Sequence, residues 1–298
     1  MQSAGNQIDL RRLITALIAP KHPKKNIPMK PVLTFVLLTL AASLAGAQTN
    51  AAAPVTATPT ATAVAPNVAK KRTNASTVTP TMPSDQPETR DAKWEKRANA
   101  NMAKAAADAA NINLVFDGDS ITDFWQKRGL KVWIPAFAKY HPVDFGISGD
   151  TTQNLLWRLG HGQAQGMHPK VILLMIGTNN MKYTSSPEEI ARGVKEIVRQ
   201  YRKICPGAVI ILQAIFPRAA TPSDPYRLKV EATNPYLGKL ADGSKVIYID
   251  FGDRFLSPDG TLSKDIMPDF LHPSEKGYQI WAEAITPLLE KYASSGTK

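Results

Sequence analysis

Val171-Ile172-Leu173-Leu174-Met175-Ile176 is six apolar residues without a break. A strand with one face in water alternates polar and apolar side chains, so a strand this uniformly apolar must be covered on both faces. Helices above and below a parallel sheet provide that cover. Four more short apolar or β-branched stretches read as strands: Ile112 to Phe116, Pro142-Val143-Asp144-Phe145-Gly146, Val209-Ile210-Ile211-Leu212 and Val246-Ile247-Tyr248-Ile249. Helical patterns separate them. Strands alternating with helices five times predict an α/β fold with a doubly wound, five-stranded parallel sheet and helices on both sides.

The helical segments are legible to different degrees. Residues 91–110, rich in Ala, Lys and Asp and carrying Trp94, read as a helix leading into the first strand. Residues 121–140 read as helical or irregular, with Trp125, Trp133 and Phe137 for packing. Asn154 to Leu159 reads as a short helix. Ser186-Pro187-Glu188-Glu189 is a helix start: Ser186 caps, Pro187 fits the first turn and Glu189 completes a capping box. Ile190, Val194, Ile197, Val198 and Tyr201 form its apolar stripe. Tyr226 to Leu240 reads as a helix that Pro235 should kink. After a loop from Asp250 to Leu271, the last helix should open at Pro273 and bury Tyr278, Trp281, Ile285, Leu288 and Tyr292. No internal repeat and no second domain is visible.

The first 90 residues differ in kind. Met29-Lys30-Pro31, then an uncharged apolar run from Val32 to Leu44, then Ala45-Gly46-Ala47 read as a signal peptide over residues 29–47. The run is short for a membrane span. No cysteine follows it, against a lipid anchor. The expected location is secreted or periplasmic, with no stable membrane insertion after cleavage. Residues 1–28 read as an extension from a start codon assigned too early. Residues 48–90 hold no aromatic side chain and are rich in Ala, Thr, Pro, Val and Ser, the composition of a disordered linker. The folded domain is expected over residues 91–298.

The net charge of +11 is concentrated early: residues 1–47 carry six Lys/Arg and one acid, whereas residues 91–298 carry 26 Lys/Arg and 22 Asp/Glu. No basic run interleaved with aromatics lies in the folded part, so nucleic-acid binding is not supported. Cys205 is the only cysteine, which excludes an internal disulfide and a cysteine-based metal site.

Four segments each follow a strand end, where open α/β sheets bind ligands. They carry Ser120 in Phe116-Asp117-Gly118-Asp119-Ser120-Ile121-Thr122, Gly149 in Ile147-Ser148-Gly149-Asp150-Thr151-Thr152, Asn179 in Gly177-Thr178-Asn179-Asn180, and Asp269 with His272 in Asp269-Phe270-Leu271-His272. Gly118 is expected to let the chain turn sharply before Ser120. Taken alone, Ser120 reads as a helix N-cap, Asn179 as a turn residue and Asp269/His272 as surface residues. Together they can perform acyl transfer: a serine hydroxyl, an imidazole to move its proton, a carboxylate to fix the tautomer, and donors for an oxyanion from the Ser120 and Gly149 N–H groups and the Asn179 amide. A Gly-x-Ser-x-Gly nucleophile elbow does not fit, because Thr122 stands at the second glycine. A phosphate-binding module is opposed by Asp119 and Asp150. His22, His141, His161, His168 and Cys205 receive no role, and Trp125, Trp157 and Trp281 read as core.

These four blocks, in this order over about residues 91–293, resemble the GDSL (SGNH) hydrolases. Phe145 to Thr152 followed by Leu156-Trp157-Arg158-Leu159 is most similar to the catalytic subunits of intracellular platelet-activating-factor acetylhydrolase and their bacterial relatives. The resemblance implies a flavodoxin-like three-layer α/β/α sandwich and a serine esterase without metal or organic cofactor. It implies Ser120, Asp269 and His272 as catalytic residues and Ser120, Gly149 and Asn179 as the oxyanion hole. The implied partner is a small ester or an acetylated carbohydrate, with a homodimer left open. An acyltransferase on the same fold and a non-enzymatic binding module are the alternatives. Asp117 departs from the pattern, since that branch usually has an apolar residue there.

Overall fold

The computed structural model describes residues 80–183 and 185–294. The extension over 1–28, the signal peptide over 29–47 and most of the 48–90 linker lie outside the described residues. Five strands form one parallel sheet: β1 (Leu114–Gly118), β2 (Pro142–Asp144), β3 (Val171–Met175), β4 (Val209–Gln213) and β5 (Val246–Ile249), in the order β2-β1-β3-β4-β5. The order reverses around β1 and β3, where Gly118 stands opposite Met175. The α/β fold and the all-parallel sheet agree with the alternation of apolar runs and helix patterns.

Alternate residues of each strand enter opposite cores. Val115, Ile172, Leu174, Ile210 and Leu212 pack against α4 (Thr152–Gly160), α5 (Pro187–Ile204) and α6 (Pro225–Gly238). Leu114, Phe116, Val171, Leu173, Met175 and Ile211 pack against α3 (Leu130–Phe137) and α7 (Glu275–Tyr292). Both faces of β3 are thereby buried, as its composition requires. Trp125 and Trp281 are wholly buried in the second core; Trp157 is only half-buried and stacks on His161 at 3.7 Å.

Helix ends follow side-chain capping. The Ser186/Glu189 capping box is formed as expected. The last helix is capped by Ser274, after Pro273, through a bond from Gly277 N at 3.2 Å. Within α6, the side chain of Asn234 accepts from Ile215 N and donates to Ile215 O, pinning the segment after β4.

Two expectations and one alternative reading need correction. The first is the end of the linker. Residues 80–90 pack on the domain: Ser84 is buried, its carbonyl accepts from Thr152 Oγ1 at 2.7 Å, and Glu88 and Gln153 are joined backbone to backbone at 3.1 Å. Hydrogen bonds hold this polar segment, so its composition does not reveal it. The folded part then continues into α1 (Ala92–Ala106), capped by Asp91.

The second concerns Gly118, which lies inside β1 and makes no left-handed turn. A Cβ there would sit 2.3 Å from the Met175 carbonyl oxygen and 2.4 Å from Thr122 Oγ1. Glycine is required for close approach. The third concerns Ser120, which is not the cap. Asp119 caps α2 (Ser120–Asp123) by accepting from Ile121 N at 2.9 Å, and this leaves the Ser120 hydroxyl available.

Candidate active site

Ser120 opens α2 directly after β1. Two neighbours hold this short helix: Tyr278 of α7 donates its hydroxyl to Ile121 O at 2.6 Å, and Asp119 supplies the cap. Ser120 Oγ lies 2.8 Å from His272 Nε2, and His272 Nδ1 lies 2.8 Å from Asp269 Oδ2. If Nδ1–H donates to the carboxylate, Nε2 is left to accept from the serine. The turn from Asp269 to His272 makes this possible. Asp269 Oδ1 accepts from His272 N at 2.8 Å and from Leu271 N at 3.2 Å, while Phe270 takes a left-handed φ of 56° between them. The His272 ring packs against Phe124, centroids 5.0 Å apart.

Electrostatics favour a neutral imidazole. Burial pushes His272 below its ordinary range, and the nearby Arg128 and Lys182 push the same way against Asp269. The Asp269 carboxyl is desolvated, which alone would raise it, but the bonds it accepts from the His272 backbone and ring hold it low. Its side chain is 44% exposed, with Arg128 3.8 Å away. Asp119 behaves oppositely: burial, aided by the charge of Asp150, raises its pKa to about 7.

The second and third segments meet this pair. Ser120, Gly149, Asn179 and His272 line one cleft of about 230 Å³, together with Phe124 and Leu271. Gly149 has φ 87° and Gly177 φ 126°, conformations that side chains resist. Asn179 Nδ2 donates to Asp150 O at 2.9 Å, which joins the turn after β3 to the Gly149 loop. Asn180 faces elsewhere, its amide spent on Thr152 and Gln153. All five residues expected at a site are therefore on one sheet edge.

Several supporting residues were not recognised from sequence. Arg218 donates to Thr178 O at 2.9 Å and to Thr178 Oγ1 at 3.1 Å, holding the Asn179 turn. Arg158 is wholly buried; it donates from Nε to Asp150 Oδ2 at 2.9 Å, from Nη2 to Asp117 Oδ1 at 3.0 Å, and from Nη1 to Gln163. Gln163 and the Tyr201 hydroxyl both donate to the other Asp117 oxygen. Burial opposes the Arg158 charge, but the two carboxylates outweigh it and keep the guanidinium protonated. The departure at Asp117 thus has a structural role: it is the counter-charge for Arg158 beneath the site. Arg158 sits in a quoted motif, yet nothing in a linear pattern pairs it with Asp117, 41 residues away.

Among the described residues, a second cleft shows no such pair. It measures about 350 Å³ and is lined by Arg227, Glu231, Tyr248 and Asp250, without a nucleophile beside a base. Among the described residues no cluster of three His, Cys, Asp or Glu could hold a metal ion, and no helix is long and apolar enough to cross a membrane. Cys205 is buried, with its thiol pushed up to about 11 by burial.

Known proteins resemble this chain in sequence and in fold. Residues 116–280 match the model of the GDSL-like lipase/acylhydrolase family. The rat platelet-activating factor acetylhydrolase IB subunit alpha1 is 34% identical over 177 residues, 59% of this chain and 74% of that protein. The rat alpha2 subunit is 36% identical over 179 residues, 60% of this chain and 75% of that protein. Among solved structures, a GDSL-like lipase from Bacteroides thetaiotaomicron has the same fold, with a TM-score of 0.55 at 21% identity over 65% of this chain and 98% of that one. A sheet edge bearing a serine beside an imidazole, on a chain that the family model matches over more than half its length, has one family assignment: this chain belongs to the GDSL-like lipase/acylhydrolase family and is an ester hydrolase.

Proposed function

We propose that the chain is a secreted or periplasmic serine esterase that removes short acyl groups, acetyl first, from a carbohydrate or lipid alcohol. The observation that carries the mechanism is the pair of 2.8 Å contacts from Ser120 through His272 to Asp269. Ser120 Oγ attacks the ester carbonyl while its proton passes to His272 Nε2. The carbonyl oxygen becomes an oxyanion and accepts from the Ser120 and Gly149 N–H groups and the Asn179 amide. Collapse breaks the bond to the alkoxide, which leaves with the proton from His272. Water then attacks the acyl-serine by the same route, giving the acid and restoring the hydroxyl. Asp269 keeps Nδ1 protonated and stabilises the imidazolium that forms. The reading needs no cofactor.

The acyl length has two supports: the matched relatives are named acetylhydrolases, and the cleft is small, about 230 Å³. Secretion rests on residues 29–47. The test is a series of chromogenic esters of rising acyl length on wild type and Ser120→Ala, with covalent fluorophosphonate labelling in parallel. Wild type should label and prefer acetate; Ser120→Ala should do neither while remaining folded. Faster turnover of long-chain esters would overturn the acyl assignment, and residual labelling of Ser120→Ala would remove the nucleophile.

A further inference from the structure

The family match begins at residue 116, yet the loop that carries Gly149 is held from outside it. Trp94 of α1 donates its indole N–H to Asp150 Oδ1 at 2.6 Å, both groups buried. Arg90, just before that helix, donates to Ser148 O at 3.0 Å and lies 3.4 Å from Asp150 Oδ1. Its guanidinium covers the Gly149 backbone so closely that a Cβ there would meet it at 3.2 Å. One turn further along α1, Arg97 pairs with Asp123 at 3.0 Å, and Asp123 accepts from Ser148 Oγ at 2.6 Å. Trp94 and Ala98 also enclose Ile147, at the start of the loop, in a small apolar cluster of their own. The loop is thus gripped at Ile147, Ser148 and Asp150, on either side of the one residue whose N–H must aim into the cleft.

The grip reaches the second donor. Asp150 presents its carboxylate to Trp94 and its carbonyl to Asn179 Nδ2 at 2.9 Å. A carbonyl that accepts one N–H of that amide sets the direction of the other. Asp150 therefore couples the Gly149 N–H, the Asn179 amide and α1 into one rigid unit. Mere stability would not require this convergence, since the polar groups of Arg90 and Trp94 are both spent on Ser148 and Asp150, the two residues that flank Gly149.

We propose that Arg90 and Trp94 are positioning residues for the reaction, a brace that fixes the Gly149 and Asn179 donors through Asp150. The proposal rests on the oxyanion-hole reading above. Such alignment matters because donors displaced by a fraction of an ångström lose most of their effect on the transition state while binding of the neutral ester barely changes.

The test is a double-mutant cycle in the full chain on a chromogenic acetate. Trp94→Phe keeps the ring and deletes the N–H. It should lower kcat about tenfold with KM within about twofold, while slowing fluorophosphonate labelling. Combined with Asn179→Ala, it should cost only part of that loss, because one of the two donors it aligns is gone and Gly149 alone remains. Wild-type kcat in folded Trp94→Phe overturns the proposal, as does a full tenfold loss on the Asn179→Ala background. If Trp94→Phe does not fold, Arg90→Gln carries the same cycle, with Arg90→Lys expected to recover part of the rate. Should Asn179→Ala itself retain wild-type turnover, the oxyanion-hole reading fails and the brace with it. An inactive Asn179→Ala beside a fully active Trp94→Phe defeats the brace alone.

Discussion

Two adjacent asparagines offer a sharp separation of rate from stability. The Asn179 side chain lines the cleft and makes one hydrogen bond, to Asp150 O; the Asn180 side chain is wholly buried and makes three short ones, accepting from Thr152 N at 3.1 Å and donating to Thr152 Oγ1 at 3.0 Å and Gln153 Oε1 at 2.9 Å, beside a longer contact to Ser84 Oγ at 3.5 Å. At ~1 kcal/mol net for each bond, Asn179→Ala should cost ~1 kcal/mol of stability and Asn180→Ala ~3 kcal/mol. For a domain of this size, these correspond to losses in Tm of roughly 2–4 °C and roughly 6–12 °C. The rates should order the other way. Losing an oxyanion donor should lower kcat roughly 10²–10³-fold with little change in KM, whereas Asn180→Ala should stay within a few-fold of wild type at a temperature where it is folded. The measurements are thermal unfolding and ester hydrolysis on one preparation of each variant. Wild-type kcat in folded Asn179→Ala would refute the assignment. A stable Asn180→Ala with collapsed kcat would mean that the two roles are exchanged.

Three further outcomes follow from the charges at the site. In the proposed mechanism the neutral form of His272 is the base, and its pKa lies below the ordinary 6.5, so kcat/KM should rise with pH through a midpoint below 6.5; an acid limb at or above 6.5 would contradict the burial argument. Asp269 is 44% exposed, so water can partly replace it, and Asp269→Ala should cost only about 10–10²-fold in kcat, less than a buried triad carboxylate; a loss as complete as that of Ser120→Ala would show that exposure does not weaken it. Asp119 is held at about 7 against 3.8 when free. Its contribution to stability is thus fully present below about 4 and declines as pH rises through about 7, by up to ~4 kcal/mol. Asp119→Asn, which can still cap Ile121, should therefore be more stable than wild type at pH 8 and equal to it near pH 4, and a difference independent of pH in denaturant titrations would refute this.

The sequence by itself determined the layers and which segments meet at one sheet edge, because both are written in local patterns. An uninterrupted apolar run such as Val171–Ile176 admits only a strand covered on both faces, and strand-helix alternation leaves few topologies. Ser120, Gly149, Asn179 and His272 each follow a strand end, and parallel strands bring those ends to one edge whatever the details of packing. The tertiary structure alone decided what supports that edge. Asp117 looked anomalous until Arg158, Gln163 and Tyr201 closed around it. Gly118 looked like a turn until the Met175 carbonyl was seen against its Cα. Residues 80–90 looked like linker because their composition offers little to bury; they are held by hydrogen bonds from Thr152, Gln153 and Asn154. The physical reason is common to all three. Periodicity reports a residue's average exposure to water, whereas pairing and close approach depend on groups tens of residues distant that only the folded chain brings within 3 Å.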